Sequence, residues 1–167
     1  MENVAEQYGE WYVVFGINLT ALTKALLQKG YGVIVMGRGE VRDTGNGMRD
    51  SGYWIPNGGV GLLFAKWNVE KQEIDAAAIA KADYIIHLAG AGVADKRWTA
   101  KRKQEILDSR VKSGALLVHS LKNIPNKVKS VISASAIGWY GPDTVARKFE
   151  ETDKAADDFL GQTCKQW

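Results

Sequence analysis

The stretch Glu10–Arg38, EWYVVFGINLTALTKALLQKGYGVIVMGR, reads as strand, helix, strand. Glu10–Phe15 is a short β-branched and aromatic run, the pattern of a strand buried on both faces. Leu19, Leu22, Leu26 and Leu27 then recur at helical spacing, and Gly30 stands where a helix-terminating glycine belongs. Gly32–Met36 is a second apolar run. An apolar strand, an amphipathic helix and another apolar strand make one crossover unit of a parallel sheet.

The same alternation runs on through the chain. Leu62–Trp67 is a third candidate strand, Ile74–Ala82 an alanine-rich helix, and Asp83–Leu88 a fourth strand ending in Ala89-Gly90-Ala91-Gly92. A long helix is expected from about Thr99 to Leu121, closed by Asn123 and Pro125. Val128–Ser133 is a fifth strand, and a last helix is expected from about Ala155 to Trp167. Only Gly37–Gly61 breaks the rhythm. It holds eight glycines and is expected to be a long irregular loop. The fold class is therefore α/β, a doubly wound, Rossmann-like parallel sheet of about five strands. Such sheets bind ligands beyond the carboxyl ends of their strands. Attention falls on Gly16, Gly37–Arg38, Asn68, Ala89–Gly90 and Ser133–Ser135.

Composition narrows the class. With 167 residues, 46% apolar and 25% charged, the chain fits one globular domain. The single cysteine, Cys164, cannot close an internal disulfide, and two histidines offer no zinc cluster, so no metal site is expected. No apolar run approaches the roughly 20 residues of a membrane span. The N-terminal MENVAEQYGE lacks the basic and apolar regions of a signal peptide, so the cytoplasm is the expected compartment. A net charge of +3 is too small to argue for nucleic acid.

Two blocks carry a family resemblance. ADYIIHLAGAGVADKRWTAKRKQEILDSRV (Ala82–Val111) and ISASAIGWYG (Ile132–Gly141) resemble the atypical extended short-chain dehydrogenase/reductases, the NAD-dependent epimerase/dehydratase or nucleoside-diphosphate-sugar epimerase group. ALTKALLQKGYGVIVMGR (Ala21–Arg38) and DDFLGQTCKQW (Asp157–Trp167) are similar to further segments of that group. The resemblance implies a dinucleotide-binding domain over residues 1–167. It also implies relatives of roughly 300 residues, whose second lobe holds the sugar, so that lobe is expected to be missing here.

The resemblance assigns roles. Arg38, after the second strand, stands where an acidic residue would bind the ribose hydroxyl of NAD and where an arginine accommodates the 2′-phosphate of NADP. NADP is therefore expected in preference to NAD. Gly16 would let the chain approach the pyrophosphate, and Leu88, Ala89 and Gly90 would let a nucleotide lie against the strand end. The family's first turn is glycine-rich. Counting back from the helix, Val13, Val14 and Leu19 occupy glycine positions here, so weak binding is expected.

Ser135, with Ser133 second, would hydrogen-bond the oxygen of the substrate while a Tyr-x-x-x-Lys pair moves the proton. That lysine lowers the tyrosine pKa from about 10 toward neutrality. None of the six tyrosines here has a lysine four residues on. Where the helix should carry tyrosine the chain offers Cys164-Lys165, and a thiolate beside a cation is a weaker candidate base. Lys96, Arg97, Lys101, Arg102 and Lys103 crowd a helix start, either as a solvated face or beside an anion.

Three readings follow. The first is an NAD(P)-dependent oxidoreductase or epimerase-like protein acting on a sugar nucleotide or related hydroxyl, with a homo-oligomer formed through an uncovered sheet edge. The second is a non-catalytic module that binds a nucleotide or a partner. The third, an RNA binder, has only the Lys96–Lys103 cluster behind it.

Overall fold

Val13, Val14 and Phe15 are fully buried in strand β1 (Trp11–Gly16), which has a parallel partner on each side. The structure is a computed structural model. It describes residues 8–16, 19–38, 42–43, 47–50, 53–56, 61–142 and 148–167, the short segments between 42 and 56 by backbone alone. After β1 come α1 (Thr20–Gln28), β2 (Gly32–Gly37), β3 (Arg42–Asp43), β4 (Gly47–Asp50), β5 (Tyr53–Pro56), β6 (Leu62–Asn68) and β7 (Glu73–Ile74). Then follow α2 (Ala76–Lys81), β8 (Tyr84–Leu88), α3 (Ala100–Asn123), β9 (Ser130–Ser133), a 3-10 turn (Ile137–Tyr140) and α4 (Phe159–Gln166).

The main sheet has the order β7-β6-β2-β1-β8-β9. Its strands run parallel except β7, which pairs antiparallel with β6 through Trp67↔Ile74. Successive side chains of a strand point to opposite faces, and the two cores divide accordingly. Val13, Phe15, Ile34, Met36 and Ile85 pack with Ile79 of α2 and with Leu116 and Leu117 of α3. Val14, Val33, Val35 and Ile86 pack with Leu19 and with Leu26 of α1. Both faces of β1 and β2 are covered, which is why these strands read as unbroken apolar runs. Strand β9 is different. All four of its residues are exposed, Ile132 at 55%.

Several boundaries differ from those read in the sequence. Ile74 belongs to β7, because Asp75 is extended and caps α2, its Oδ1 accepting from the Ala77 and Ala78 amides at 2.9 and 3.2 Å. The last helix starts at Phe159 rather than near Ala155, because Asp158 caps it by accepting from the Gly161 amide at 2.8 Å. Within Gly37–Gly61, expected as an irregular loop, the described backbone forms a three-stranded antiparallel sheet, β3-β4-β5. The run Tyr53-Trp54-Ile55 has strand-forming residue types, and glycine content had masked it. Gly30 behaves as expected. Its φ of +80° follows the end of α1, and its amide donates to the Leu27 carbonyl at 3.0 Å.

At the amino edge of the sheet one buried carboxylate ties three elements together. Asp83, 4% exposed, accepts from the Trp11 amide at 3.0 Å and from Lys127 Nζ at 3.0 Å, with Lys129 Nζ at 3.6 Å. Its own amide donates to the Trp11 carbonyl at 2.9 Å. Burial favours the protonated acid, but the Trp11 amide and the two lysines outweigh it and hold the carboxyl below its ordinary value. Asp83→Ala should cost about 2 kcal/mol at neutral pH, since it strands a buried amide and removes hydrogen bonds to a charged group. Because the folded pKa is lowered, this contribution is complete above the unfolded value of about 4 and is lost as pH falls through the folded value. Denaturant titrations of the two proteins should therefore converge as pH drops below about 4, and a gap unchanged at pH 2 would contradict the assignment.

Candidate functional site

At the carboxyl edge of the main sheet lies a cavity of about 720 Å³, within the range of small-molecule sites. Gly16, Arg38, Asn68, Ala89 and Gly90 all line it, at or just past the ends of four strands, β1, β2, β6 and β8. The cavity sits where β1 adjoins both β2 and β8, the point at which the chain reverses its direction of winding. Asp95, Arg102, Glu105 and Ser109 form the opposite wall, from the loop after β8 and from α3.

Two glycines are dictated by close approach. Gly16 has φ +142°, and a Cβ there would stand 2.8 Å from the Leu88 carbonyl oxygen. The register Gly16↔Leu88 presses the ends of β1 and β8 together. A Cβ on Gly90 would stand 2.9 Å from Cζ of Arg110. That guanidinium donates from Nη1 to the Ala91 and Ile106 carbonyls, both at 3.0 Å, so it fastens the loop after β8 to α3. Leu88, 37% exposed, contributes its carbonyl to the packing against Gly16 and does not line the cavity.

Val13 and Val14, counted into the glycine-rich turn from the sequence, lie instead in the middle of β1 as core. Leu19, also counted into that turn, stands at the start of α1 and is buried against the sheet. Residues 17 and 18 lie outside the described residues. Leu19, which precedes α1, gives its first turn no side-chain cap, whereas Asp75, Thr99 and Asp158 cap the three later helices.

The charged wall was only partly legible. Arg102, read as one of five cations on a solvated helix start, is 7% exposed. Its Nη1 meets Glu105 Oε1 at 2.8 Å, and its Nη2 lies 3.5 Å from Asp95 Oδ2 and donates to the Gly92 carbonyl. The hydrogen bond from Arg102 holds the Glu105 carboxyl below its ordinary range. Lys112 pairs with Asp108 at 2.9 Å. Arg38 has no ion-pair partner among the described residues. Asp95 and Glu105 at the right distance from a basic cluster were the available sequence signal for Arg102; nothing in the sequence marked which cation would be buried.

Ser133, Ser135 and Cys164 gather elsewhere. Both serines are exposed at the end of β9, and neither lines the cavity. The Cys164 thiol points at the Ala136 carbonyl at 3.7 Å, so α4 packs against the segment that follows Ser135. Sequence reasoning missed His87, which is buried between them and α3. Its Nδ1 lies 3.5 Å from Ser133 Oγ and its Nε2 3.0 Å from Ser113 Oγ. Burial lowers its pKa, so the ring is neutral near pH 7. The structure thus brings Gly16, Arg38, Ala89 and Gly90 to one cavity and leaves the hydroxyl and thiol group beside it, one strand away.

Residues 19–159 match the NAD dependent epimerase/dehydratase family. The chain belongs to that family. An epimerase family protein of Mycobacterium leprae, ML0860, is 37% identical over 101 residues, which are 60% of this chain and 32% of that protein. The epimerase family protein YfhF of Bacillus subtilis is 29% identical over 146 residues, 87% of this chain and 43% of its own length. Among solved structures, a nucleoside-diphosphate sugar epimerase from Corynebacterium glutamicum superposes with a TM-score of 0.67 at 25% identity, covering 97% of this chain and 30% of that one. Human epimerase family protein SDR39U1, solved with NADPH, gives 0.67 at 21% identity, with 94% of this chain and 47% of that one covered. The chain therefore spans about a third of the length of the first of these epimerase/dehydratase relatives, and the human structure shows the shared fold.

Arg102 is the fastener of the cavity's outer wall. Arg102→Ala should cost about 1–2 kcal/mol, through lost hydrogen bonds to charged partners that are themselves exposed. It should also speed amide exchange between Ala91 and Trp98. Hydrogen-exchange mass spectrometry checks this, and an unchanged rate in that segment would remove Arg102 from the role.

Proposed function

We propose that the cavity binds the NADP form of a nicotinamide dinucleotide, and that the chain is the nucleotide-binding part of an oxidoreductase or epimerase-like protein. Its substrate would be a sugar nucleotide or a related hydroxyl compound, in the cytoplasm. The observation that supports this reading is the convergence of Gly16, Arg38, Ala89 and Gly90 on one cavity of about 720 Å³. The residues fit the group. Gly16 puts no side chain at the end of β1, and Arg38 is a cation without an ion-pair partner among the described residues. When bound, the nicotinamide supplies a hydride acceptor and donor.

In this reading the Ser135 hydroxyl orients the reacting oxygen, with Ser133 beside it, and Cys164 is the weaker candidate for moving a proton. Among the described residues no helix is long and apolar enough to cross a membrane. The exposed strand β9 is the proposed place for a homo-oligomer contact, because an uncovered edge offers hydrogen-bonding groups to a second strand. A second reading, a nucleotide-binding or partner-binding module without catalysis, is favoured by one observation. No tyrosine has a lysine four residues on.

Calorimetry separates the two cofactors. The unmodified chain should bind NADPH more tightly than NADH, and Arg38→Ala should reduce NADPH affinity about tenfold to a hundredfold while leaving NADH little changed. Tighter NADH binding by the unmodified chain would refute the Arg38 argument.

Turnover should be slight. A positioned base is worth roughly 10²–10⁴ in rate, and the tyrosine base is lacking. Reduction of NADP with sugar nucleotides should give a flat trace from this chain. Robust activity abolished by Ser135→Ala and retained by Cys164→Ser would establish catalysis through Ser135 and dismiss the binding-module reading. Gel filtration of the same sample reports the oligomer.

A further inference from the structure

Among the described residues, the buried imidazole of His87 has no carboxylate in its hydrogen-bond network. It is 2% exposed, with the rings of Phe15 at 5.8 Å and Trp67 at 6.4 Å. Its polar contacts are two hydroxyls, one at each ring nitrogen. On the α3 side, Ser113 Oγ lies 3.0 Å from Nε2 and itself donates to the Arg110 carbonyl at 3.0 Å. A hydroxyl has a single proton. With that proton directed to Arg110, Ser113 can only accept from His87, which places the ring proton on Nε2. The other nitrogen, Nδ1, is then an acceptor, and Ser133 Oγ is the group that faces it at 3.5 Å. The alternative acceptor for Ser133 is the Ala134 carbonyl, also at 3.5 Å. It lies one residue along the same backbone, whereas His87 is directly opposite in the register His87↔Ser133.

We propose that His87 is a positioning residue that keeps the Ser133 proton turned inward. The carboxyl end of β9 then presents an oxygen acceptor at position 133 and takes a donor, a hydroxyl or amide, from a bound ligand. The ligand half of this statement rests on the nucleotide-site reading above; the hydrogen-bond half stands on the geometry alone.

His87 does not act as a base for Ser133. Taking the proton would create an imidazolium inside the core with, among the described residues, hydroxyls as its side-chain hydrogen-bond partners and aromatic rings beside it, an uncompensated buried charge. Ser133 therefore stays a hydroxyl. Ser135, two positions on, has no hydrogen-bond partner among the described residues, so its proton is free to follow the ligand. The two serines at the end of β9 thus differ in polarity: an acceptor fixed from behind at 133 and a free rotor at 135.

The chain contains two histidines, and His119 is exposed on α3, so nitrogen-15 NMR of the intact chain resolves the tautomer against an internal reference. In the unmodified chain His87 should be neutral, with the proton on Nε2. Ser133→Ala should shift the Nδ1 resonance, and Ser113→Ala should populate the other tautomer. A proton on Nδ1 in the unmodified chain, or an Nδ1 resonance indifferent to Ser133→Ala, would overturn the hydrogen-bond half without any variant needing to be active. For the ligand half the probe is UDP-glucose with NADPH present. Ser133→Ala should weaken its binding about threefold to tenfold, and an unchanged affinity would overturn that half. No UDP-glucose binding by the unmodified chain would remove the ligand half together with the proposed function, while the tautomer result stood by itself.

Discussion

The ends of β1 and β8 meet with no room for a side chain between them, and the rest of the site depends on that contact. Gly16 at φ +142° leaves only hydrogen where any other residue would drive a Cβ to within 2.8 Å of the Leu88 carbonyl. Strand β1 is the central strand, bonded to β2 on one side and β8 on the other, so displacing its end would move both neighbours. Those neighbours lead into Arg38 and into Ala89–Gly90. The cavity walls therefore inherit their spacing from a steric condition inside the sheet. A glycine that looks as though it were selected for a ligand is also required by strand packing.

The sheet treats its buried ionisable groups in two ways, and the difference follows from what surrounds them. At the amino edge Asp83 is charged, because an amide and two lysines compensate its burial. At the carboxyl side His87 is neutral, because it is buried and its hydrogen-bond partners are hydroxyls. Low polarity around a charge raises the stakes of both arrangements. Asp83 serves as a strut between strand ends, and its charge is its function. His87 works through the direction of its lone pair, and charging it would undo that. Arg102 and Arg110 extend the first pattern to the outer wall, where guanidinium groups gather backbone carbonyls of the loop after β8 and hold it on α3.

Legibility in the sequence tracks burial on both faces. Strands β1, β2 and β8 were readable because each is sandwiched, so nearly every residue is apolar. Their ends, with that of β6, bring Gly16, Arg38, Asn68, Ala89 and Gly90 to one edge of the sheet. Counting back from the helix failed for Val13 and Val14, because a strand of valines and a turn of small residues differ by register, which composition does not supply. The three short strands between Arg42 and Pro56 were hidden by glycines, whose presence signals turns but does not exclude strands between them. Arg102 looked like its four basic neighbours in sequence, since its burial depends on where Asp95 and Glu105 fall in space. His87 was a lone histidine. Its partners, Ser113 and Ser133, are 26 and 46 residues away and are brought to it by β8 pairing with β9 and facing α3.

The site divides along the boundary between β8 and β9. On the β1–β8 side the cavity walls come from four strand ends and α3, all within this chain, and both faces of the central strands are covered. On the β9 side Ser133 and Ser135 are exposed, along with Val131, Ile132 and Ile137, and α4 packs against the 3-10 turn that follows. Under the proposed function, binding a nucleotide would draw on the first side, with Gly16 at the strand end and the Arg38 cation. Hydride transfer to or from a substrate would, under the same proposed function, need the second as well, where exposed hydroxyls compete with solvent for hydrogen bonds. The two sides are thus separate in the geometry: Gly16, Arg38, Ala89 and Gly90 line the cavity, while Ser133 and Ser135 lie at the exposed end of β9 and line none of it.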